Sequence, residues 1–593
     1  MTLIGGVFEM SEKSGTGATG KNSEFTGVIE SLGSNGEGIL HIGETVFFVP
    51  FTAVGEKVKL RVLKVKNEIG YAKAMEILTP ADERVRARCP LFTKCGGCQL
   101  QHLRYGAQLK AKSRVVSDAL RKIAGISFKV PLTVKSDNQF EYRNKLQIPV
   151  GVNKYGESVI GFYAERSHRI VPVSSCPIHP GWSADIIAAF SAYMSRCGVH
   201  AYDEERNTGT LRHIVVRDID GCFLVTAVTA GPDLPHADKL VELLSAKFKN
   251  FSLWHNVNDG RGNGVFGKRF RLLYGEGRYA AHECGIRFEA GPNTFVQVNR
   301  GVCRKLYERT VRYAAESGAT TAIDAYSGGG LLTAMLARSL GRAYGIESVA
   351  EASRCADDLI EPNRLEGRLF NICGRVEEEL PHLLREVDPA STFLVTDPPR
   401  KGMERSAVRA ILSSGIPRVA MISCNPSTMA RDVGLLTGAL VETEEGLKKD
   451  PAWTAEGKEG YYRILSVQPF DMFPQTKHVE TLVLLSKKKP DSHIVVDVEF
   501  GEGEGKISLK DALKRAEGRK PKSKTTYKDI QNYVEENYGF KVHTAYIAEV
   551  KRNLGLPMYD APNAVEELKR PRAHPTEKMV AAIKETLAHF EII

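Results

Sequence analysis

The spacing of apolar and polar positions divides the chain into segments of different predicted structure. Residues 24–78 hold short apolar runs between glycine-containing turns, and the stretch KVKLRVLKVK alternates valine or leucine with lysine or arginine. A period of two predicts half-buried strands, and several such strands joined by tight turns predict a small β-barrel with one basic face. Barrels of this kind often bind oligonucleotides, and a plain structural barrel with solvated lysines is the alternative interpretation.

Two further patterns follow the barrel segment. Residues 83–300 are predicted to be mainly β, with two helices at YGAQLKAKSRVVSDALRKIAG and GWSADIIAAFSAYMSRCG. From about residue 303 strands and helices alternate, as in TTAIDAY, LLTAMLARSL, RAYGIE, STFLVTD, ERSAVRAILSSG and RVAMISC. This alternation predicts a parallel sheet with helices on both faces. The segments YYRILSVQPFD and HVETLVLLSK then predict a terminal hairpin.

The predicted organisation is therefore an α/β core with several attached parts. Its segments are a disordered tail (1–23), an N-terminal oligonucleotide-fold β-barrel (24–82), a mainly β central domain (83–300), a Rossmann-like α/β domain (301–488) and a basic linker with a small C-terminal helical appendix (489–593). The Lys/Arg-rich run at 506–528 is interpreted either as a phosphate-binding arm or as a solvated linker. No role is assigned to the helices of the appendix.

Composition narrows the class of protein. A chain of 593 residues that is 42% hydrophobic and 26% charged is typical of a globular protein with several domains. It contains no run of about 18 apolar residues, so we expect no membrane partner. The N-terminus lacks the apolar stretch of a signal peptide, and eleven cysteines without such a signal fit a reducing, cytoplasmic location. The net charge of +10 favours a polyanionic partner.

A glycine-rich turn joins a predicted strand to a helix in AIDAYSGGGLLTAMLA. Glycines allow the backbone to approach a ligand closely at the carboxyl end of a strand. Glu347 ends the next apolar strand nineteen residues after Gly328, where an acidic side chain can meet ribose hydroxyls. The turn lacks the spaced glycines of a dinucleotide site and the Lys-Ser/Thr of a phosphate loop. A nucleoside cofactor without a pyrophosphate, such as S-adenosylmethionine, therefore fits better than NAD or ATP.

Two more strand ends carry reactive side chains. Asp397 follows an apolar strand in TDPPRKGM, and Cys424 follows the next one in ISCNPSTMARD. Because the carboxyl ends of parallel strands share one edge of the sheet, we expect Glu347, Asp397 and Cys424 to face one crevice.

A thiolate beside a carboxylate suits methylation of C5 of a pyrimidine. This carbon is a poor nucleophile until a thiolate adds to C6, and a base must then remove the C5 proton. Methylation of a nitrogen or an oxygen needs no such cysteine. Glu480 opens the apolar strand of HVETLVLL and is a candidate carboxylate, although a solvated charge at a hairpin end is the alternative.

Four cysteines have the arrangement of a metal site. Cys89, Cys95 and Cys98 share one short loop, CPLFTKCGGC, and Cys176 in VSSCPI can supply a fourth thiolate. Four thiolates bind either zinc or an iron–sulfur cluster, and the spacing does not separate the two.

Several motifs together resemble one family. ISCNPSTMARD, TDPPRKGM, FVQVN and VQPFDMFPQTKHVETLVLL are similar to those of the RNA uridine-C5 methyltransferases, in the iron–sulfur-containing branch that acts on 23S ribosomal RNA. The resemblance covers residues 24–488 and implies a class I S-adenosylmethionine-dependent methyltransferase core with an RNA-binding TRAM domain at the N-terminus. It implies Cys424 as the nucleophile and Glu480 as the base, with a [4Fe–4S] cluster on the four cysteines. It also implies that S-adenosylmethionine is bound by Gln297, Tyr326, Glu347 and Asp397.

The predicted enzyme is therefore an S-adenosylmethionine-dependent RNA (uracil-5-)-methyltransferase, and a monomer is expected. Transfer RNA is the alternative substrate to ribosomal RNA. A protein of another class, an RNA-binding or ribosome-assembly factor with an inactive core, is the second alternative. The presence of Cys424, Glu480 and Asp397 argues against an inactive core.

Overall fold

The structure is a computed structural model that describes residues 20–262, 264–455, 460–487, 527–554 and 574–589. The chain divides into two compact units, Met1–Asp491 and Ser492–Ile593. Nearly all of the predicted tail and of the basic run at 506–528 lies outside the described residues.

The N-terminal segment forms a six-stranded sheet in the order β1-β5-β6-β4-β3-β2. Its strands are β1 (Glu24–Val28), β2 (Ser31–Leu32), β3 (Gly38–Ile42), β4 (Thr45–Val49), β5 (Lys57–Lys66) and β6 (Ile69–Thr79). In β5 the side chains of Val58, Leu60 and Val62 are buried in the barrel core, and Lys59 and Arg61 between them are exposed. The period of two thus gives the basic outer face that the sequence predicts.

A mainly β region follows, also as predicted. Its seven-stranded sheet has the order β13-β12-β11-β10-β7-β8-β9, and β14 and β15 form a separate hairpin. The strands are β7 (Lys145–Val152), β8 (Ser158–Tyr163), β9 (Ile170–Pro172), β10 (Leu211–Ile219), β11 (Cys222–Thr229), β12 (Phe251–Val257), β13 (Arg269–Tyr274), β14 (Tyr279–Glu283) and β15 (Ile286–Ala290). The helices are α1 (Tyr105–Ala119), α2 (Trp182–Cys197) and α3 (Ala237–Ser245). A π-helical turn extends α1 to Gly125, whose φ of +74° ends it.

The third region has alternating strands and helices around a seven-stranded sheet in the order β18-β17-β16-β19-β20-β24-β23. Its strands are β16 (Thr321–Ala325), β17 (Arg342–Glu347), β18 (Leu369–Cys373), β19 (Thr392–Thr396), β20 (Arg418–Ser423), β23 (Arg463–Phe470) and β24 (Glu480–Ser486), with a small hairpin of β21 (Leu440–Thr443) and β22 (Gly446–Lys449). Its helices are α4 (Arg300–Glu316), α5 (Leu331–Leu340), α6 (Ala350–Asp357), α7 (Val376–Glu386), α8 (Arg405–Ser413) and α9 (Pro426–Thr437), with 3-10 turns at Glu361–Asn363 and Pro389–Ser391.

The first five strands of this sheet are parallel, and the predicted terminal hairpin of β23 and β24 joins them antiparallel. The edge strand β18 is absent from the predicted elements. It is short, and its central Asn371 donates a hydrogen bond to Asp357 at 2.9 Å instead of packing in the core. An apolar pattern is therefore weak there.

The second unit has three described helices, α10 (Tyr527–Tyr538), α11 (Thr544–Asn553) and α12 (Glu577–His589). They pack around a small apolar core that includes Ile530, Val534, Ile547, Ile583 and Leu587. In the described part of the chain, no helix combines the length and the apolar character needed to cross a membrane.

Candidate active site

The glycine loop after β16 turns sharply into α5. Tyr326, Gly328 and Gly330 take left-handed backbone conformations, with φ of +69°, +56° and +77°. Gly330 is also required by space, because a Cβ there would lie 2.6 Å from the Cβ of Ala356. The loop is thereby held close to the sheet edge, where a ligand can approach its backbone.

Glu347 at the end of β17 holds this loop in place. Its Oε2 accepts a hydrogen bond from the backbone N–H of Gly328 at 3.0 Å, and its Oε1 accepts one from Val349 at 2.7 Å. It does not belong to the residues that line the adjacent cavity. Its contact with a ribose stays a prediction.

A cavity of about 360 Å³ opens at the carboxyl edge of the sheet. It is lined by five of the six residues predicted for catalysis and for the nucleoside cofactor: Gln297, Tyr326, Asp397, Cys424 and Glu480. The strands explain this grouping, since β16, β19 and β20 all end at this edge and the antiparallel β24 begins there. The cavity thus joins a candidate nucleophile and a candidate base to the glycine loop.

Burial determines the protonation of these groups. It raises the pKa of Asp397 to about 6. Burial, together with the charge of Asp397, raises the pKa of Glu480 to about 8, and Arg400 opposes this shift. Burial and the nearby Glu480 also raise the pKa of the Cys424 thiol, again opposed by Arg400. Glu480 is only 7% exposed, so its interpretation as a solvated hairpin charge is wrong.

The turn after Cys424 is fixed by its neighbours. Asn425 caps α9, because its side-chain oxygen accepts a hydrogen bond from Ser427 N at 3.1 Å. Its side-chain nitrogen donates to the carbonyl of Arg400 at 3.0 Å. Pro426 occupies the first helical position, where its missing N–H costs nothing. This turn keeps the thiol at the sheet edge and ties it to the loop that carries Arg400.

Sequence reasoning missed other residues of the cavity. Phe295, Tyr307, Arg400 and His478 also line it. Burial lowers the pKa of His478 to about 4, so its imidazole is neutral at physiological pH. Arg400 and His478 lie inside the quoted motifs. An apolar pattern shows where a strand ends, but it does not show which polar residue near that end points into the cavity.

A buried ion pair anchors the loop that leads into Glu480. The ammonium of Lys112 on α1 contacts the carboxylate of Asp471, and the side chains are 2% and 0% exposed. Lys112 also donates to the carbonyl of Phe473 at 3.0 Å. The start of this loop is therefore attached to a helix that lies far away in the sequence.

The same loop contacts the segment that follows Cys98. The carbonyl of Gln475 accepts hydrogen bonds from the N–H groups of Gln99 and Leu100, at 3.2 and 3.0 Å. The side-chain amides of Gln475 and Gln108 are also joined, with the Gln108 nitrogen 3.0 Å from the Gln475 oxygen. The cysteine loop and the loop to Glu480 thus form one packed unit.

The four predicted cysteine ligands lie near one another. The charges of Cys89, Cys95 and Cys176 each act on the Cys98 thiol, and burial is the main cause that raises the pKa of Cys98 to about 12. Burial likewise raises the pKa of Cys176 to about 11. Gly96 lets the loop approach the end of β8, since a Cβ there would lie 2.9 Å from the Glu165 nitrogen.

The chemistry and the spacing of these thiols decide which metal group they could hold. Within the described ranges, no three Cys, His, Asp or Glu side chains are close enough to hold a single metal ion. A four-iron cluster binds each thiolate to a different iron atom, so its sulfurs stand farther apart than those around one ion. Burial raises the pKa of Cys95, Cys98 and Cys176, and such thiols ionise when they bind a metal, so these donors are compatible in chemistry with a cluster.

Comparison with known proteins identifies the relatives of the chain. The TRAM domain family matches residues 22–75. An uncharacterized RNA methyltransferase of Clostridium tetani is 34% identical over 469 residues, 79% of this chain and 97% of that protein. A relative of the same description from Halalkalibacterium halodurans is 35% identical over 473 residues, 79% of this chain and 98% of the relative.

A solved structure shows the fold. The Pyrococcus abyssi tRNA (uracil-54, C5)-methyltransferase in complex with S-adenosyl-L-homocysteine has 25% sequence identity and a TM-score of 0.59. The match covers 78% of this chain and 100% of that one. The predicted class I methyltransferase fold with an N-terminal barrel is confirmed. With its TRAM domain and with relatives of this length and identity, the chain belongs to a family of RNA methyltransferases, and these relatives are consistent with the uridine-C5 family that its motifs predict.

Proposed function

We propose that this protein transfers a methyl group from S-adenosylmethionine to C5 of a uridine in RNA through a covalent adduct with Cys424. The observation that carries the proposal is that Cys424 and Glu480 line the same cavity as the glycine loop of a methyltransferase sheet. Gln297, Tyr326 and Asp397 line this cavity too and would hold the cofactor there, while Glu347 would hold the loop. The bound S-adenosylmethionine supplies an electrophilic methyl group.

The residues of the site then have distinct tasks. Cys424 releases its proton to solvent, and its thiolate adds to C6 of uracil. The electron pair of the C5–C6 double bond then forms an enolate over C5 and the neighbouring C4 carbonyl. C5 then takes the methyl group. The Glu480 carboxylate removes the C5 proton, the C6–S bond breaks, and the thiolate is restored. Arg400 favours the ionised forms of both Cys424 and Glu480. One methyl group is transferred and one proton is released per turnover.

Large-subunit 23S ribosomal RNA is the proposed substrate, supported by the motif resemblance to the branch that acts on it. Transfer RNA is the second candidate, because the structural neighbour from Pyrococcus abyssi is a transfer RNA methyltransferase. In either case the uridine must leave its stack before C5 and C6 can be reached from opposite faces.

Release of tritium from RNA labelled at uridine C5 tests the proposal. Wild-type protein with S-adenosylmethionine should release tritium into water, and Cys424→Ala should release none, because no enolate forms without the thiolate. Cys373→Ala, at the exposed Cys373 outside the cavity, is the matched control and should behave as wild type. Ribosomal and transfer RNA are compared as substrates. Methyl transfer without tritium release would place the methyl group on another atom and contradict the proposal.

A [4Fe–4S] cluster on Cys89, Cys95, Cys98 and Cys176 is proposed as a second cofactor with a structural task. Its thiolates would pin the loop whose Gln99 and Leu100 hold the carbonyl of Gln475. Methyl transfer to uridine needs no electron, so no redox step is assigned to it.

Metal analysis checks this cofactor. Anaerobically purified wild-type protein should contain about four iron and four sulfide ions per chain. Cys98→Ser should lose most of both. Cys197→Ser replaces a cysteine at the end of α2 that is not one of the four proposed ligands, and this variant should keep both. Zinc in place of iron would support the zinc interpretation, and unchanged iron in Cys98→Ser would contradict the ligand assignment.

A further inference from the structure

A second cavity, of about 420 Å³, lies outside the candidate active site. The barrel supplies one side of it with Phe48, Leu63, Lys64 and Tyr71, while the cysteine loop supplies Gln99. The turn between β8 and β9 supplies Glu165 and Arg166. Three separate segments of the first unit therefore converge on this cavity.

Its wall combines apolar side chains with charged side chains of both signs, the acidic Glu37 and Glu165 and the basic Lys64 and Arg166. Tyr71 is 42% exposed and Leu63 is 49% exposed, although both are large hydrophobic residues. The Tyr71 ring stacks on Phe48 with centroids 5.9 Å apart and planes 28° apart, which fixes its orientation. Lys64 on β5 is the register partner of Tyr71 on β6, so a cation stands beside the ring. An aromatic face next to a lysine is the arrangement that binds a stacked base and its phosphate.

The exposed apolar residues of the described chain are concentrated on this barrel. Seven of the fourteen large hydrophobic side chains that are exposed lie between residues 28 and 78. Two of these seven residues, Leu63 and Tyr71, line the second cavity, so exposed apolar surface is available there for a ligand. Because Glu165 and Arg166 give the rim both charges, a neutral base suits the cavity better than a free phosphate.

Two consecutive residues, Lys477 and His478, connect the linings of the two cavities. Lys477 donates its backbone N–H to the side chain of Gln99 at 3.3 Å and its ammonium to Asn35 at 2.8 Å, and both partners line the second cavity. The next residue, His478, lines the active-site cavity. A nucleotide in the second cavity would therefore lie close to the target uridine along one RNA strand.

We propose that this cavity binds the base of a second, unpaired nucleotide of the RNA substrate, stacked on Tyr71. The proposal deepens the proposed function and rests on it, because the nucleotide belongs to the strand that carries the target uridine. It requires single-stranded RNA, since a base held in a duplex cannot reach the ring. Recognition would therefore include at least two bases taken out of their stacks.

Fluorescence anisotropy with a labelled oligouridylate of twelve nucleotides tests the proposal. Tyr71→Ala should weaken binding about tenfold, the loss of one stacked base, whereas Tyr71→Phe should keep most of the affinity because the ring remains. Tyr155→Ala is the matched control: Tyr155 is 73% exposed and lies beside Lys154, but it is outside both cavities. The same oligonucleotide paired with oligoadenylate should bind Tyr71→Ala and wild type equally.

Equal affinity of wild type and Tyr71→Ala for the single strand would overturn the proposal, as would an equal loss for Tyr71→Phe. Failure of the two proposals can be told apart. Tyr71-dependent binding without any tritium release would retain the second site and remove the uridine chemistry. Tritium release by the wild type, together with an unchanged affinity of Tyr71→Ala, would remove the second site and retain the uridine chemistry.

Discussion

Glu480→Gln should stop turnover after methyl transfer and leave RNA covalently attached to the protein. The amide is close in shape to the carboxyl group but cannot take the C5 proton, so elimination of Cys424 is blocked. Steady-state tritium release should fall by about a thousandfold, within the range for loss of a general base. On a denaturing gel, the adduct should form a protein band that migrates more slowly than the free protein. This band should carry both the label of the RNA and the label of the methyl group.

Two controls make this result specific. The double variant Cys424→Ala/Glu480→Gln should form no adduct, because the attaching thiol is gone. Glu445→Gln removes a carboxylate that is 77% exposed and should leave turnover unchanged. If Glu480→Gln released tritium at the wild-type rate, the base would have to be another group of the cavity.

The same carboxyl group sets the pH dependence of the wild type. Burial raises the pKa of Glu480 to about 8, so the ionised base becomes scarcer as the pH falls below that value. At saturating RNA, the ionised fraction of Glu480 should fall about fivefold between pH 8 and pH 7 and about ninefold between pH 7 and pH 6. Tritium release should fall at least as steeply, because the raised pKa of the Cys424 thiol also makes its thiolate scarcer. A rate that is flat over this interval would contradict the assignment of Glu480 as the base.

Lys112→Met should destabilise the first unit strongly. It leaves the Asp471 carboxylate buried without its cation, and breaking a buried pair in this way costs about 3–5 kcal/mol. The midpoint of urea unfolding should fall accordingly. Since Asp471 begins the loop that leads to Glu480, tritium release should fall as well, even under conditions where the protein remains folded.

A double-mutant cycle separates the ion pair from general damage to the helix. Lys112→Met/Asp471→Leu removes both charges and should recover most of the lost stability. Lys110→Met replaces an exposed lysine on the same helix and should leave the urea midpoint unchanged. Equal stability of Lys112→Met and wild type would show that the pair contributes little.

The sequence by itself determined those features that depend on local periodicity. The alternation in β5 specifies which side chains enter the barrel, and the strand–helix rhythm after residue 303 specifies a parallel sheet. Since parallel strands end at one edge, the positions of Asp397 and Cys424 beside the glycine loop also follow from the pattern.

Only the tertiary structure decided the features that depend on contacts between distant segments. Whether Glu480 is solvated or buried depends on the loop before it, which is held by Lys112 and by the backbone after Cys98. Glu347 turned out to hold the glycine loop from outside the cavity, while Arg400 lines the cavity. A periodic pattern says which face of an element is apolar, but burial, pKa and shared cavities arise only when separate elements pack together.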